Sequence, residues 1–352
     1  MKKALAIVMA VILVLSMVAC SSSKSTSSET TTSATPSTES EAAATTAAAA
    51  SGDQPYIIMV NALNGHPVYE QQAEAARKAA EDYGVKLEII GPSMGTSTII
   101  NDYVAAMENA ITLKPDAIIC EPFDPALFSG VKQATAAGFP VFCTSNVTDD
   151  EDDYITCIGT ENLTYGKTAV DMVAKDSNGS ANILVMVGNL TTTNQVEMLN
   201  GMKEEIKDKY PNIKIVDTVA DENDLSKAVA LFQDNFNSYP EIDTVVMLEA
   251  TGGPGAAKVA KEMNKKVRIL DIDAVAETID NIKAGTEWAT MAQNFYKRGY
   301  ESVRMASEYL DSNGSATFPK YVDSGTVLIT KDNVGTYQDD LWAAVKMKGT
   351  AW

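Results

Sequence analysis

From Tyr56 onward, the chain repeats one unit, in which a short apolar run is followed by a longer helical stretch and a turn. The run YIIMV at 56–60 indicates a buried strand, and residues 68–83, rich in Ala and Glu, indicate a helix that ends at Gly84. Because parallel strands need a crossover connection between them, this alternation predicts an α/β fold with doubly wound parallel sheets. No other feature of the sequence constrains the fold as strongly.

The repeat occurs in two series, which predicts two lobes. The first series ends with the strand YITCI, which begins at Tyr154, and the second runs from the strand NILVMV to the strand EWATMAQ. A further helix at about 296–310 and a strand near 322–329 follow, which is too little for a third domain. We therefore expect these last elements to complete the two sheets, so that the chain crosses between the lobes more than once.

The first twenty residues have the pattern of an export signal. Lys2 and Lys3 precede an apolar run at 4–18, which is too short to span a bilayer comfortably. The segment MVAC, which ends at Cys20, resembles the lipobox of bacterial lipoproteins, although Met17 stands where Leu is more frequent. The resemblance implies lipidation of Cys20 and a membrane anchor on the extracytoplasmic face. Ordinary secretion with an incidental cysteine is the alternative.

Residues 21–50 consist mainly of Ser, Thr, Ala and Glu, without an aromatic residue or a hydrophobic period. Such a segment buries too little apolar surface to offset the entropy of ordering, which predicts a flexible tether. The predicted organisation is a signal peptide at 1–19, a lipidated tether at 20–54, an N-terminal lobe at 55–160 plus 294–323, a C-terminal lobe at 161–293 plus 324–340, and a tail at 341–352.

Composition excludes several classes of function. A formal net charge of −19 disfavours nucleic-acid binding, since phosphates and an acidic surface repel each other. His66 is the only histidine and no CxxC pair is present, so neither a histidine metal cluster nor a structural zinc site is expected. Cys120 and Cys143 are compatible with neighbouring strands, where they are either buried thiols or a disulfide; Cys157 also adjoins an apolar run.

In doubly wound sheets, ligands bind outside the carboxyl ends of the strands, so the residues that follow each predicted strand are the candidates for function. Here they are mostly amides, hydroxyls and carboxylates. No phosphate-binding P-loop, GxGxxG turn or GxSxG elbow is present, and we therefore expect a binding protein without a cofactor rather than an enzyme. The strand-end segments are 61–69, 121–124, 145–146 and 188–195, together with Glu249, Asp273 and Gln293.

Five segments in order carry a specific resemblance: NALNGHPVY, LKPDAIICEPFDP, IGTENLTYGK, ILDID, and ATMAQ followed by a long helix. Together they resemble the type I periplasmic solute-binding proteins of ABC transporters, in particular the ribose-binding-like sugar branch. The resemblance implies two lobes that are joined by a three-segment hinge and close on a ligand. Bacterial repressors share this body but carry an N-terminal DNA-binding helix-turn-helix, where this chain has a signal and a tether.

The resemblance also implies ligand contacts at particular positions. Ser145-Asn146 replace an Asp-Arg pair of the family, and Val196 stands in place of a helix arginine, with Asn194 or Gln195 as functional substitutes. Phe123 either stacks on a sugar or packs in the core. The remaining contacts implied by position are Asn61, His66, Tyr69, Glu121, Asn223, Glu249, Asp273 and Gln293.

A pocket with Glu121, Glu249 and Asp273 but without arginine is rich in acceptors, so it favours a neutral or cationic ligand that donates many hydrogen bonds. An anionic ligand would face carboxylates and is expected to be rejected. Asp271 and Asp273 have the ligand type that magnesium prefers, but no phosphate cradle accompanies them. The acidic run at 149–153 lacks the turn glycine of a calcium loop, which favours a solvated acidic loop.

These patterns together predict a monomeric, lipid-anchored solute-binding protein that captures a small neutral polar ligand, a monosaccharide or a related polyol. Delivery of the ligand to an ABC-transporter permease is the expected role. One alternative is a sensor of a sugar, an autoinducer-like sugar or a nucleoside, which presents its closed form to a chemoreceptor or a sensor kinase. A secreted α/β enzyme is a further alternative, against which the absence of a recognisable triad argues.

Overall fold

A computed structural model describes residues 54–348 of the chain. The predicted signal peptide, lipidation at Cys20 and nearly all of the tether lie outside the described residues, as does the end of the predicted tail. Elements are numbered in chain order, and the described part comprises two α/β lobes. The predicted fold class, two doubly wound lobes, is confirmed.

The first lobe contains a six-stranded parallel sheet with the order β11-β5-β4-β3-β1-β2. Its strands are short and, in the centre, buried along their whole length, as expected for a sheet that is covered on both faces. They are β1 Tyr56–Val60, β2 Lys86–Ile90, β3 Ala117–Cys120, β4 Val141–Thr144, β5 Thr156–Gly159 and β11 Tyr321–Asp323.

The second lobe repeats this plan with the order β12-β10-β9-β8-β6-β7. Five strands are parallel, and β12 pairs antiparallel with β10 at the edge. Position for position, β8 therefore corresponds to β3 of the first sheet, and β9 corresponds to β4. The strands are β6 Ala181–Val187, β7 Ile213–Ala220, β8 Thr244–Met247, β9 Arg268–Ile272, β10 Ala289–Gln293 and β12 Thr326–Thr330.

Helices cover both faces of each sheet. Around the first sheet lie α1 Pro67–Tyr83, α2 Ile99–Leu113, α3 Phe128–Ala136 and α9 Phe295–Asp311. Around the second lie α4 Asn162–Asp176, α5 Thr193–Lys209, α6 Leu225–Ser238, α7 Gly253–Glu262 and α8 Ala276–Ala284. A last helix, α10, spans Tyr337–Ala343, and single 3₁₀ turns occur at Pro125–Leu127 and Glu151–Asp153.

One helix pair in each lobe packs so closely that only glycine fits at the contact. A Cβ at Gly299 of α9 would lie 2.0 Å from the carbonyl oxygen of Gln72 in α1. In the second lobe, a Cβ at Gly166 of α4 would lie 1.9 Å from the carbonyl oxygen of Met198 in α5. The contact at Gly299 holds the first turns of α9 against the start of α1, where several candidate site residues lie.

The chain crosses between the two sheets at the β5–α4, β10–α9 and β11–β12 connections. The crossings are tied to each other, because the Ser324 amide donates to the Gly159 carbonyl at 2.7 Å and the Asn294 amide donates to the Gly325 carbonyl at 3.1 Å. The single strand expected near 322–329 is wrong. Gly325 has a φ of +78°, which interrupts the extended run, so β11 joins the first sheet and β12 joins the second.

Helix α10 returns to the first lobe, although no packing was predicted for residues 341–352. Leu341 is fully buried in the first-lobe core, and its carbonyl accepts a hydrogen bond from the Asn294 side chain at 2.8 Å. The Trp342 ring packs 4.6 Å from the Tyr296 ring. The chain thus crosses the hinge region a fourth time. The exact residue bounds of the two lobes stay a prediction.

Candidate functional site

Glu121 is the centre of the polar groups in the first lobe. It follows β3 directly, is 2% exposed, and its backbone N–H donates to the hydroxyl of Tyr103. The Tyr69 hydroxyl donates to Glu121 Oε1 at 3.2 Å, and the Thr144 hydroxyl donates to Oε2 at 3.4 Å. Ser145, at the end of β4, also bonds this carboxylate. The structure therefore brings together three of the predicted residues: Tyr69, Glu121 and Ser145.

Asp273 and Gln293 form the corresponding group in the second lobe. Asp273 follows β9 and is buried, and Gln293 is the last residue of β10. The Gln293 amide nitrogen Nε2 donates to Asp273 Oδ1 at 3.1 Å. Asp273 has a φ of +62°, and Ser145, at the equivalent position after β4, has a φ of +66°. A left-handed residue thus follows the same strand in both sheets, and each lies in its lobe's polar group.

Arg298 joins the two groups, and the sequence analysis did not identify it. It lies in the first turns of α9 and is 1% exposed, with its guanidinium 4.1 Å above the Phe295 ring. Its NH2 group donates to Gln293 Oε1 at 3.1 Å, and its charge acts on both Glu121 and Asp273. The expectation of a pocket without arginine is therefore wrong. Arg298 escaped notice because it lies on a helix and not at a strand end.

The pKa values reflect this arrangement. Burial raises the pKa of Glu121 above its usual range, while the Arg298 charge and the hydrogen bonds from Tyr69 and Ser145 oppose the rise. Burial raises the pKa of Asp273 to about 6, against the effects of Gln293 and Arg298. Tyr69 is half-buried beside Glu121, and its burial together with the Glu121 charge raises the pKa of its phenol. At neutral pH, Asp273 is therefore mainly an acceptor and Tyr69 a donor.

The connection between β1 and α1 contributes Asn61 and His66. Asn61 is fully buried; its side chain donates to Asn64 Oδ1 at 3.1 Å and accepts from Gln72 Nε2 at 3.2 Å. Its polar atoms thus already have protein partners. His66 is partly buried, its ring lies edge-on to Tyr69 at 5.7 Å, and its Nδ1 atom has no hydrogen-bond partner. Burial lowers the pKa of His66, which keeps the ring neutral and able to accept or donate.

Phe123 and Asn146 border the first-lobe group. The Phe123 ring packs edge-on against Tyr103 at 5.4 Å, with its side chain half-buried beside the core. This position serves packing and leaves part of the ring accessible. Asn146 is 7% exposed, and its carbonyl accepts a weak hydrogen bond from the Cys157 thiol.

Three further predicted residues lie in the second lobe, and two of them, Gln195 and Asn223, have local hydrogen-bond partners. Gln195 holds the loop after β6, because its Oε1 accepts from the amides of Gly188 at 2.8 Å and Asn189 at 3.2 Å. Asn194 is partly buried, with an Oδ1 atom that lacks a partner. Asn223 is exposed and in the left-handed region, and its amide donates to Asp221 Oδ1.

Glu249 takes part in a different arrangement from Glu121. Its two carboxylate oxygens accept from the amides of Thr251 and Gly252, both at 2.6 Å, so it holds the turn that leads into α7. It also adjoins Asp221, whose pKa is raised to about 8 by burial and by the Glu249 charge. Beyond α7, Asp271 and Glu287 form a second buried carboxyl pair, in which burial raises the pKa of Glu287 to about 7.

The thiols and the acidic loop show no metal site. Cys120, Cys143 and Cys157 are buried and free, and they lie side by side at one register across β3, β4 and β5. Within residues 54–348, no cluster of three or more His, Cys, Asp or Glu side chains is arranged to hold a metal ion. In the acidic loop, Asp149 is exposed and pairs with Lys132 at 2.9 Å.

Two surface cavities are lined only by residues of the second lobe and contain none of the predicted residues. One of about 520 Å³ lies between the starts of α6, α7 and α8, and one of about 530 Å³ lies beside Trp288 and Lys331. Both open on the outside of one lobe. The polar groups that come from both lobes are therefore the better candidate site.

Comparison with known proteins agrees with the architecture. The family model described as a periplasmic binding protein domain matches residues 57–314. The chain belongs to this family. Its match covers both sheets except β11 and β12, and it includes each candidate site residue of the described part. The predicted resemblance to type I periplasmic binding proteins is thus confirmed.

Relatives of this periplasmic binding protein have names that refer to sugars. The xylose/arabinose-binding protein XylF of Sulfolobus acidocaldarius is 24% identical over 69% of this chain, and the match spans 62% of that protein's length. The D-apiose import binding protein of Paraburkholderia graminis is 22% identical over 79% of this chain and 88% of its own. The fold matches that of GanP, a glucose-galactose binding protein from Geobacillus stearothermophilus, with a TM-score of 0.74, 24% identity, and coverage of 80% of this chain and 99% of that chain.

No helix within residues 54–348 combines the length and the apolar character that a membrane span requires.

Proposed function

We propose that this periplasmic binding protein captures a small neutral polar ligand, a monosaccharide or a related polyol, between its two lobes. The observation that carries the proposal is the meeting of Tyr69 and Glu121 from the first lobe with Asp273 and Gln293 from the second, around one buried guanidinium. Sugar names among the relatives support the ligand class.

The chemistry of the groups matches the hydroxyl pattern of a sugar. Glu121 and Asp273 accept hydrogen bonds from ligand hydroxyls, and hydrogen bonds to a charged acceptor are about twice as strong as neutral ones. The amide of Gln293 and the ring of His66 supply further donors or acceptors at the edge of the proposed ligand site. The exposed part of the Phe123 ring supplies an apolar face for the sugar ring. The two carboxylates outnumber the single guanidinium, so the site still disfavours an anionic ligand.

Binding at the hinge couples to closure of the lobes. Because the ligand contacts come from both sides of the crossings, a ligand that bonds Glu121 and Asp273 together favours the closed arrangement. The closed form is then the state that a permease of an ABC transporter recognises. Asn61, Asn146, Asn194, Gln195, Asn223 and Glu249 complete the proposed ligand-binding set, directly or by supporting the loops. Binding and release need no covalent step, and we propose that the protein has no catalytic activity.

The anchor belongs to the same proposal. Lys2 and Lys3, the apolar run and the MVAC segment support export and lipidation at Cys20, with the receptor held as a monomer on the extracytoplasmic face of the cell membrane. Growth with a radiolabelled fatty acid tests this point. The full-length protein is expected to carry label and the Cys20→Ala variant none; equal labelling of the two would contradict lipidation at this cysteine.

Calorimetric titration of the purified protein tests the ligand class. The panel consists of D-xylose, L-arabinose, D-ribose, D-galactose, D-glucosamine and xylitol, with D-galacturonate and ribose 5-phosphate as anionic comparisons. Saturable binding of a neutral or amino sugar is expected, and Glu121→Gln or Asp273→Asn should each weaken it by about tenfold or more. Asp149→Asn, which changes an exposed carboxylate, is the matched control and should leave affinity unchanged. Tight binding of either anionic sugar would overturn the proposal.

A further inference from the structure

We infer that Arg298 is a positioning residue that keeps Glu121 and Asp273, one on each lobe, as hydrogen-bond acceptors and thereby sets the preference for hydroxyl donors. The inference rests on the proposed sugar-binding function and adds a role for a residue that lies on a helix behind the strand ends. It predicts that the guanidinium acts on the ligand through the two carboxylates.

The position of Arg298 supports this role. It is the only buried Lys or Arg side chain within residues 54–348. The Phe295 ring covers one face of its guanidinium, its NH2 group bonds Gln293, and its Nε atom has no partner. A buried cation is costly unless an anion compensates for it. Arg298 forms no ion pair among the described residues, so Glu121 and Asp273, on which its charge acts, compensate for it through the electrostatic field and not through a direct contact.

Arg298 is surrounded by five titratable groups, from four strands and one helix. Three of them stay neutral near pH 7, since burial raises the pKa of Tyr69 on α1, Cys157 on β5 and Tyr321 on β11. Glu121 after β3 and Asp273 after β9 are the two carboxyl groups, and for each the Arg298 charge opposes the rise in pKa that burial causes. The effect of the guanidinium therefore falls on these two carboxylates.

The protonation state decides what the site can bind. An ionised carboxylate only accepts, whereas a protonated carboxyl group presents a donor that a ligand hydroxyl must accept instead. Removal of Arg298 raises both carboxyl pKa values further, because burial then acts without an opposing cation. The site would change from an acceptor to a mixed donor and acceptor near neutral pH.

The test compares Arg298→Met, which is neutral and of similar length, with Arg298→Lys, which keeps the charge. Affinity is measured by calorimetry from pH 5 to pH 9, with whichever sugar of the panel binds the unmodified protein most tightly. The affinity of the unmodified protein should fall as the pH drops through about 6, where Asp273 takes up its proton. In Arg298→Met, the same fall should occur about one pH unit higher or more, while Arg298→Lys should keep the original profile.

A loss of affinity in Arg298→Met that is equal at every pH would overturn the inference, because a contact or packing role does not move the midpoint. The carboxyl ¹³C signals of Glu121 and Asp273, assigned with Glu121→Gln and Asp273→Asn, give a readout that needs no ligand. Both signals should titrate at higher pH in Arg298→Met than in the unmodified protein, and unchanged titration would also overturn the inference. If the unmodified protein binds no sugar of the panel, the proposed function fails while the carboxyl titration still decides the role of Arg298.

Discussion

Glu121 and Glu249 follow corresponding strands of the two sheets, and yet their surroundings differ in charge. Glu121 after β3 is buried beside hydroxyl donors and the Arg298 guanidinium. Glu249 after β8 is buried beside Asp221, and its other partners are the backbone amides of Thr251 and Gly252 in the turn before α7. In the first lobe, the Arg298 cation thus compensates the charge of the buried Glu121. In the second lobe, a proton on Asp221 relieves the repulsion between Asp221 and Glu249.

The second lobe repeats the arrangement at Asp271 and Glu287. Asp271 is fully buried, Glu287 is 3% exposed, and the only described buried cation, Arg298, belongs to the first lobe. Asp221 Oδ2 and Glu287 Oε2 have no partner that donates to them. A carboxyl pair of this kind is stable only when it holds a proton. We therefore expect the stability of the second lobe to depend on pH, whereas that of the first lobe depends on the Arg298 charge.

The largest effect should come from a feature that the lobes share, their glycine-mediated helix contacts. Gly299→Ala and Gly166→Ala each place a methyl group about 2 Å from a carbonyl oxygen, so each should lower the free energy of unfolding by about 3 kcal/mol. Urea unfolding measures this. Only Gly299→Ala should also weaken sugar binding, since it displaces Gln72, which bonds Asn61.

Gly179→Ala is the control, because Gly179 has a φ of +79° and open space around the added methyl group. It measures the loss of stability that comes from backbone conformation alone, without a steric clash. If Gly179→Ala lowers the free energy of unfolding as much as Gly299→Ala does, backbone conformation and not close helix packing determines the effect of Gly299→Ala.

The second prediction concerns the proton in the second lobe. The pKa of Asp221 in the folded state, about 8, lies above its unfolded value of about 4. The folded state therefore binds the extra proton, and the stability from this group is complete at low pH and lost as the pH rises toward 8. Asp221→Asn removes the repulsion from Glu249, so it should stabilise the protein at pH 8 by about 2 kcal/mol, less than the full shift implies because water screens the pair.

Urea unfolding at pH 5 and pH 8 separates the protonation effect from packing. At pH 5 Asp221 in the unmodified protein is protonated, and the variant should gain little there. Stabilisation by Asp221→Asn that is the same at both pH values would contradict a pH-dependent proton between Asp221 and Glu249.

The same chemical change in the first lobe should have a smaller effect. Glu121→Gln keeps the shape of the side chain and removes a buried charge, but Arg298 and the hydroxyl donors oppose the rise in the pKa of Glu121, so the variant should stabilise the protein at pH 8 by only about 1 kcal/mol or less. The measurement is again urea unfolding, beside Asp221→Asn. If Glu121→Gln stabilises the protein as much as Asp221→Asn does, the two lobes do not differ in how they compensate buried carboxylates.

Strand–helix alternation was sufficient to predict both sheets, since parallel strands and crossover helices leave strong periodic patterns. It failed at 322–329, where the apolar pattern continues through Ser324-Gly325 although the chain changes sheets. The seven residues of α10 are too short for a periodic signal, and Leu341 is buried through tertiary contacts alone. Local patterns do not encode such contacts.

For the site, the rule that ligands bind at strand ends identified Glu121, Asp273 and Gln293, which the structure links through one network. Arg298 was missed because the rule ignores helices. A usable signal was present, since Arg298 lies three residues after Phe295 and four before Ser302, both buried on the same face of α9. A charge on the buried face of an amphipathic helix needs a partner, and the strand-end carboxylates are the nearest choice.

The smallest expected effects distinguish surface charges from buried ones. Lys132 pairs with Asp149 in the first lobe and Lys167 pairs with Glu204 in the second, both at 2.9 Å and largely in solvent. Lys132→Met and Lys167→Met should each leave the free energy of unfolding nearly unchanged, without a difference between the lobes, because solvent screens both pairs. Urea unfolding at low and high salt measures this. A clearly larger effect in one lobe would mean that surface charge, too, distinguishes the lobes, and that the contrast is not confined to the buried groups around Glu121 and Glu249.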